Sequence, residues 1–405
     1  MINLENISFD HCIKCTVCTI YCPVAKATHL FPGPKQSGPD SERLRIKNPD
    51  LVDASLKYCT NCKRCESVCP SDVKIADIIQ TAKYTYVKKK FMMKVRDYVL
   101  SRMDLLGKIS TFMSSIVNLV MRITIIRAFL DLLLGISYKR SFPKFESGSF
   151  RKWFKKQRFS QKKFDSEVIF FHGCSVNNMD HALGKDLIKV LNSLNIGIYI
   201  PKQTCCGVPA IANSDIKRAK RNARINIRSL KKAVGGTDKK IIFTCSSGAY
   251  ALKYEYSNFL EMDNSSIYSN IEYITYFLSK LIDSGRSLNL KPLRIRVAYH
   301  SPCHLERMGG VIYTIDILKK IPDLDLIILN SECCGLSGTY GFKTEYYNIS
   351  ETIGTQLFDK INDSNPEFVI TDCVTCKWQI ENFTKYKVLH PVTLLAMALE
   401  QEGLI

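Results

Sequence analysis

The sequence predicts a small α+β amino-terminal domain wrapped around two iron–sulfur cubes, then a helical segment, then two repeated α/β subdomains. Three observations predict it. The first is a pair of cysteine runs, Cys12-x-x-Cys15-x-x-Cys18-x-x-x-Cys22-Pro23 and Cys59-x-x-Cys62-x-x-Cys65-x-x-x-Cys69-Pro70. The second is an internal repeat in the carboxyl-terminal half, with a double cysteine in each copy. The third is the alternation there of short apolar runs with helical stretches, the pattern of a parallel sheet with helical crossovers.

The cysteine runs define the first domain, residues 1–90. Three thiolates at this spacing wrap one cube while the fourth reaches across to the other. Cys12, Cys15, Cys18 and Cys69 are thus expected to hold one [4Fe–4S] cluster, and Cys59, Cys62, Cys65 and Cys22 the second, in a ferredoxin-like arrangement. Zinc also uses C-x-x-C pairs, but it does not call for four cysteines per run, twice, each ending in Cys-Pro. The prolines are expected to turn the chain away after the fourth ligand, since proline lacks the N–H that continues a helix. Between the runs, Phe31-Pro32-Gly33-Pro34-Lys35-Gln36-Ser37-Gly38-Pro39 reads as an irregular, turn-rich loop. Ile75, Ile78, Ile79, Ala82 and Tyr86 have helical spacing, which predicts a helix packed across the second cluster.

Composition bounds the rest. At about 150 residues per domain, 405 residues make two or three domains. Met1 to His11 is polar and lacks the apolar run of a signal peptide, so the 17 cysteines read as metal ligands in a reducing, cytoplasmic setting rather than a disulfide framework. Lys and Arg outnumber acids by 57 to 38, a formal charge of +19. Such an excess suits anionic lipid, an acidic partner or nucleic acid. No nucleic-acid-binding motif accompanies it, so no nucleic-acid partner is expected.

The second segment, residues 91–163, carries no cysteine. Ile109 to Met121 is uncharged, but Lys108 and Arg122 bound it, and Arg127 and Asp131 interrupt the continuation to Ile136. That falls short of the about 20 apolar residues a spanning helix needs. The expectation is an amphipathic helix, Ile109–Ile136, lying in a membrane interface or docking on a partner. A basic, aromatic stretch follows, with Tyr138, Lys139, Arg140, Phe142, Lys144 and Phe145, then Arg151, Lys152, Trp153, Phe154, Lys155 and Lys156. It suits an anionic lipid surface, each basic residue contributing about 1 kcal/mol.

From residue 164 the chain repeats, with expected subdomains 164–290 and 291–405. His172 recurs as His300, Cys205-Cys206-Gly207 as Cys333-Cys334-Gly335, and Cys245 as Cys373, each 128 positions on; Cys174 matches Cys303 at 129. Alternating Ile196, Ile198 and Ile200, and Leu324, Leu326 and Ile328, predict a strand before each double cysteine. Val168–Phe171 and Ile241–Phe243 predict strands before Cys174 and Cys245, while Leu183–Leu194 and Ala219–Ala233 read as helices. Sites in such sheets form at the carboxyl ends of strands, where these cysteines fall. The second set is complete: Cys303, Cys333, Cys334, Cys373 and Cys376. Adjacent cysteines diverge, which suits gripping two irons of a larger cluster, and Gly335 lets backbone pass close by. The first set is Cys174, Cys205, Cys206 and Cys245, with Gly248 where the fifth thiol would stand. Zinc, an incomplete cluster and a vestigial core of buried thiols all stay open there. His300 and His304, beside Cys303, are expected to be hydrogen-bonded supporting or core histidines.

Taken together, these motifs resemble the cysteine-rich iron–sulfur (CCG) family, which includes heterodisulfide reductase subunits and the iron–sulfur subunits of glycolate and lactate oxidation. Cys12-Ile13-Lys14-Cys15-Thr16-Val17-Cys18, Tyr58-Cys59-Thr60-Asn61-Cys62-Lys63-Arg64-Cys65, Phe171-His172-Gly173-Cys174, Cys334-Gly335-Leu336-Ser337-Gly338-Thr339-Tyr340-Gly341 and Thr371-Asp372-Cys373-Val374-Thr375-Cys376 narrow the likeness to the C subunits of anaerobic glycerol-3-phosphate dehydrogenases. The resemblance implies a flavoprotein partner that oxidises sn-glycerol 3-phosphate, and electron passage through this subunit to membrane quinone. It also implies peripheral attachment at the cytoplasmic face of the inner membrane. Gly235-Gly236 does not follow a strand and open a helix as a dinucleotide site requires, so substrate oxidation is expected on another chain. Gly248 departs from the family's complete Cys-x-x-Cys, which puts a second non-cubane cluster in question. Other readings are an iron–sulfur subunit of another 2-hydroxy-acid oxidase, a heterodisulfide reductase-like catalytic subunit with chemistry at Cys303 to Cys376, and a pure anchoring scaffold.

Overall fold

The computed structural model describes residues 9–87, 91–330 and 333–399. The polar leader at 1–8, the domain boundary at 90 and the end of the last subdomain at 400–405 lie outside them. In the amino-terminal domain both cysteine runs curl the same way. Lys14 and Thr16 in the first run, and Asn61 and Lys63 at the same places in the second, hold positive φ (59°, 63°, 56° and 65°). Such backbone costs about 1–3 kcal/mol per residue and persists where the surroundings enforce it. Helix α1, Ile75–Tyr86, forms where its spacing predicts and buries Ile75, Ile78, Ile79 and Ala82 against Val24, Phe31, Leu56 and the cysteine runs.

Two local expectations are corrected. Pro23 does not turn the chain away but opens the short helix Pro23–Ala27, whose first turn needs no proline N–H; the Cys22 thiol caps it by accepting from the Ala25 N–H. The stretch expected to be irregular becomes helical at its end. Gln36–Asp40 is a π-helical turn that accommodates Pro39 and runs on into the helix Ser41–Lys47. Its buried Arg45 is held by Glu42 and by the Ser37 carbonyl, so polar pairing rather than apolar periodicity stabilises it.

The segment that follows is four short helices: α2 Phe91–Leu100, α3 Met103–Phe112, α4 Ser114–Val120 and α5 Thr124–Leu134. The single helix expected over Ile109–Ile136 is broken at Met113, whose backbone leaves helical geometry, and again between Val120 and Thr124. The reason is how the pieces seat. The buried residues of α3 and α4 are Gly107, Ser110, Thr111 and Ser114, and α5 buries none. Gly107 meets the Asn178 amide so closely that a Cβ there would overlap it. Phe112, Ile125 and Leu132 point outward, 90%, 81% and 84% exposed. These helices are thus amphipathic the wrong way round for a water-facing surface. Among the described residues no helix is long and apolar enough to cross a membrane.

The basic, aromatic stretch does not form one surface. Arg140 is fully buried, donating to the Gly341 carbonyl, Gln379 and Ser350 between the rings of Tyr347 and Phe383. Helix α6, Phe150–Gln157, sinks Phe150 and Phe154 into the first repeat and leaves Lys152, Lys155 and Lys156 exposed.

The repeats are two four-stranded, all-parallel sheets of the same order, β2-β1-β3-β4 and β6-β5-β7-β8. The strands are β1 Ser166–Phe171, β2 Ile196–Tyr199, β3 Ile241–Phe243, β4 Ile271–Tyr273, β5 Arg296–His300, β6 Asp325–Leu329, β7 Phe368–Thr371 and β8 Val388–Leu389. Helices α7 His181–Ser193 and α8 Ile216–Val234 cover the predicted helical stretches. β2 buries Ile196 and Ile198, whereas edge strand β6 leaves Ile328 exposed and buries Leu329. One core runs from the first sheet to the near face of the second, a separate cluster of Ala298, Leu329, Val369 and Val388 with Leu357, Phe358 and Ile361 covers the second sheet's other face, and every repeat cysteine follows the carboxyl end of a strand.

Candidate iron–sulfur sites

In the amino-terminal domain the thiols fall into two groups. Cys18 faces Cys12, Cys15 and Cys69, while Cys65 faces Cys59, Cys62 and Cys22. Each set draws its fourth thiol from the other run. Burial pushes the thiols of Cys18, Cys22, Cys59 and Cys65 up, and that of Cys62 to about 12. Buried thiols this reluctant to ionise are inert alone; a bound cationic centre is what makes such groups thiolates.

In the second repeat all five thiols touch in series: Cys303 with Cys333, Cys333 with Cys334, Cys334 with Cys376, and Cys376 with Cys373. Gly335 holds φ at +90°, and a Cβ there would overlap the Ser350 carbonyl, so only glycine passes. Its N–H donates to Cys333 Sγ at 3.4 Å. Cys376, Thr375 and Ser247 bond to the Cys373 sulfur and pull its thiol down to about 5.

The first repeat matches this geometry with one member fewer. Cys174, Cys205 and Cys206 touch in series, and Cys245 stands near them and near Cys373. Gly248 sits in helix α9, Ser246–Tyr250, beside Cys245 and Cys206. Burial lowers His172, His300 and His304 to about 4, so all three rings are neutral at pH 7. His304 Nδ1 meets Ser247 Oγ at 2.9 Å and its ring stacks on Tyr250. Among the described residues, Nε2 of His172 is buried without a protein partner. An orphaned polar atom near thiols suits a polar inorganic group beside it.

Among the described residues no three His, Cys, Asp or Glu side chains are set around the position of a single metal ion. The thiols are strung instead around shared space. One cavity of ≈350 Å³ is bordered by Cys174, Cys206 and Cys245 of the first repeat, by all five cysteines of the second, and by Cys62. Motif reading does not signal this meeting, nor the place of Arg64. That guanidinium lies in the field of Cys62, Cys303 and Cys333 and pairs with Glu306 at 3.0 Å.

Comparison with known proteins identifies the domains that carry these cysteines. A family model for a 4Fe-4S dicluster domain matches residues 8–73, and one for a cysteine-rich domain matches 168–253 and again 297–381. The C subunit of the anaerobic glycerol-3-phosphate dehydrogenase of Escherichia coli K12 is 47% identical over 397 residues, covering 98% of this chain and 100% of that one. The chain belongs to the family of these C subunits. More distant members of the wider group include the D subunit of the dihydromethanophenazine:CoB–CoM heterodisulfide reductase of Methanosarcina barkeri, 24% identical over 92% of this chain and 88% of its own. The glycolate oxidase iron–sulfur subunit of E. coli K12 is 22% identical over 96% and 94%. In this C-subunit family member the dicluster match takes in both cysteine runs, and the two cysteine-rich matches take in every repeat cysteine.

Proposed function

We propose that this chain is the iron–sulfur electron-transfer subunit of an anaerobic sn-glycerol-3-phosphate dehydrogenase, taking electrons from flavoprotein subunits and passing them to membrane quinone. Cys12, Cys15, Cys18 and Cys69 would hold one [4Fe–4S] cluster, and Cys22, Cys59, Cys62 and Cys65 the other. Cys303, Cys333, Cys334, Cys373 and Cys376 would hold a non-cubane [4Fe–4S] cluster; Cys174, Cys205, Cys206 and Cys245 would hold zinc or an incomplete cluster. Bound there, such groups supply one-electron carriers. The observation that carries the reading is the junction at Arg64: Cys62 and Cys333, from different domains, lie within one guanidinium's field. The protein brings two ligand sets together, sheds water around them and places a fixed positive charge between them. Such a charge favours added electrons on either side.

The outward apolar faces of α3 to α5 support attachment to a bilayer surface, with lipid covering what water would otherwise meet. Lys152, Lys155 and Lys156 add attraction to anionic headgroups. We place the attachment peripherally, on the cytoplasmic face.

The test is reconstitution with the flavoprotein subunits. Cys62→Ser or Cys334→Ser should stop quinone reduction, while substrate-dependent dye reduction by the flavoprotein continues. Full iron content with undiminished quinone reduction in both variants would defeat the assignment.

A further inference from the structure

The cavity that the thiols border does not end at them. It continues as an apolar arm walled by Leu106, Val117, Met121 and Leu130 of the helical segment and by Phe342 and Trp378 of the second repeat. The same helices turn Phe112, Leu119, Ile125 and Leu132 outward. The layer of helices therefore presents apolar side chains in two directions, outward to the exposed surface and, beside the small residues that seat on the first repeat, into a passage to the thiols. A water-soluble acceptor would lose its hydration in this arm with little to replace it. A lipophilic one gains from every wall.

We infer that the arm is the binding site for an isoprenoid quinone, a deduction resting on the electron-transfer reading above. The ring lies toward the thiol end, beside Phe342 and Thr339, and the tail runs between α4 and α5. The arm and the thiol-bordered space together make ≈350 Å³, of which the proposed clusters take the thiol end, so the arm has room for a ring and not for a long tail. A long tail is not enclosed and leaves where the layer is interrupted, between Met121, which lines the arm, and the exposed Ile123. The helix break at this point thus has a use: it is the exit from the arm to the apolar outer face. The reaction balances simply. Two electrons released by substrate oxidation on the flavoprotein and two protons from the medium convert the two ring carbonyls to hydroxyls.

The probe is a photoreactive azidoquinone added to the intact complex on vesicles. Labelled peptides are identified by mass spectrometry, and paramagnetic resonance records reduction of the iron–sulfur signals by glycerol 3-phosphate. Label is expected on residues 99–134 or 339–342. Leu130→Trp, which fills the arm, should cut labelling and raise the quinone KM by roughly tenfold or more. Leu130→Ala, a milder change that cannot block the arm, should keep the label in place. If substrate reduces the iron–sulfur signals but the label falls elsewhere, or Leu130→Trp leaves both labelling and KM unchanged in a protein of full iron content, the site is wrong and the electron-transfer reading stands. If substrate does not reduce those signals in the parent complex, the electron-transfer reading fails first.

Discussion

Supplying the thiol that the first repeat lacks should make it a working copy of the second. The position is ready. A Cβ built on Gly248 stands 3.8 Å from the Cβ of Cys245 and 3.9 Å from both Cys206 Cβ and Cys245 Sγ, ordinary van der Waals distances. Its φ is not in the left-handed region, and it sits inside helix α9. Replacing a helical glycine gains roughly 0.5–1 kcal/mol from the unfolded chain's lost freedom, and no neighbour has to move for the added Cβ. Gly248→Cys should therefore be at least as stable as the parent, and Gly248→Ala gives the backbone effect alone. Gly335→Ala marks the opposite case, since its Cβ would strike the Ser350 carbonyl. The assay is iron and acid-labile sulfide per folded chain after anaerobic purification, with paramagnetic resonance of the reduced protein. Gly248→Cys should carry more iron than either parent or Gly248→Ala, with a new signal on reduction. Equal iron and identical spectra in all three, with the fold intact, would refute the view that the missing fifth thiol is what limits this site.

Three further outcomes follow from surface and buried groups. Changing Phe112, Ile125 and Leu132 together to Ser removes apolar contacts worth about 1.5–3 kcal/mol each when fully buried, and should release the protein from vesicles in every salt. Reversing Lys152, Lys155 and Lys156 to Glu should weaken flotation only at low salt; the opposite pattern would put the charges, not the helices, in control. Glu255 supplies the pH dependence. Burial holds its carboxyl up at about 7, against an ordinary value of 4.5. Between those values the folded chain keeps a proton that the unfolded chain has released, so stability falls as pH rises through this window. The loss is complete above it, at roughly 3 kcal/mol. Glu255→Gln, whose amide oxygen can still accept from Asn61 Nδ2, should resist urea better than the parent at pH 8 and equally at pH 4. No difference at pH 8 would mean that the carboxyl ionises in the fold at no cost, and would refute the raised value.

Much of this was legible in the sequence because metal ligation and sheet topology impose fixed spacings. The cysteine runs, the repeat and the strand preceding each ligand loop are all periodicities, and periodicity survives without coordinates. What was hidden depends on which face meets which neighbour. The uncharged run around Ile109–Met121 carries no Gly or Pro to announce a break; Met113 leaves the helix where small residues Gly107, Ser110 and Ser114 seat on the first repeat. Its apolar stripe was readable, and so was an outward face for it, but not the division of the run into short pieces. Pro39 and Gly38 looked like loop residues because the buried Arg45–Glu42 pair that steadies their helix is not an apolar pattern. Arg140 counts as surface charge in any composition, yet it is enclosed by Gln379, Ser350 and two aromatic rings. The junction at Arg64 joins residues more than two hundred positions apart, and no local signal marks it.

The spatial order of the four thiol groups explains why the two repeats can differ. Along the chain the first repeat comes before the second, but in space the second is the inner one. Cys22 and Cys69 bind the two amino-terminal groups into one unit by exchange; Arg64 ties Cys62 to Cys303 and Cys333; Ser247 and Cys245 then meet Cys373 from the first repeat. In the proposed relay, the second repeat is therefore an interior station touching groups on both sides. A lost ligand there would interrupt everything beyond it. The first repeat borders the shared cavity through Cys174, Cys206 and Cys245 and accepts from Asn61 through Glu255, but Cys62 meets Cys333 directly, without a first-repeat thiol between them. Replacing its fifth thiol with Gly248 leaves the path from Cys62 to the arm intact. In that reading the complete thiol set stands where continuity requires it, and the incomplete one where the fold of the repeat, rather than electron passage, is the remaining demand.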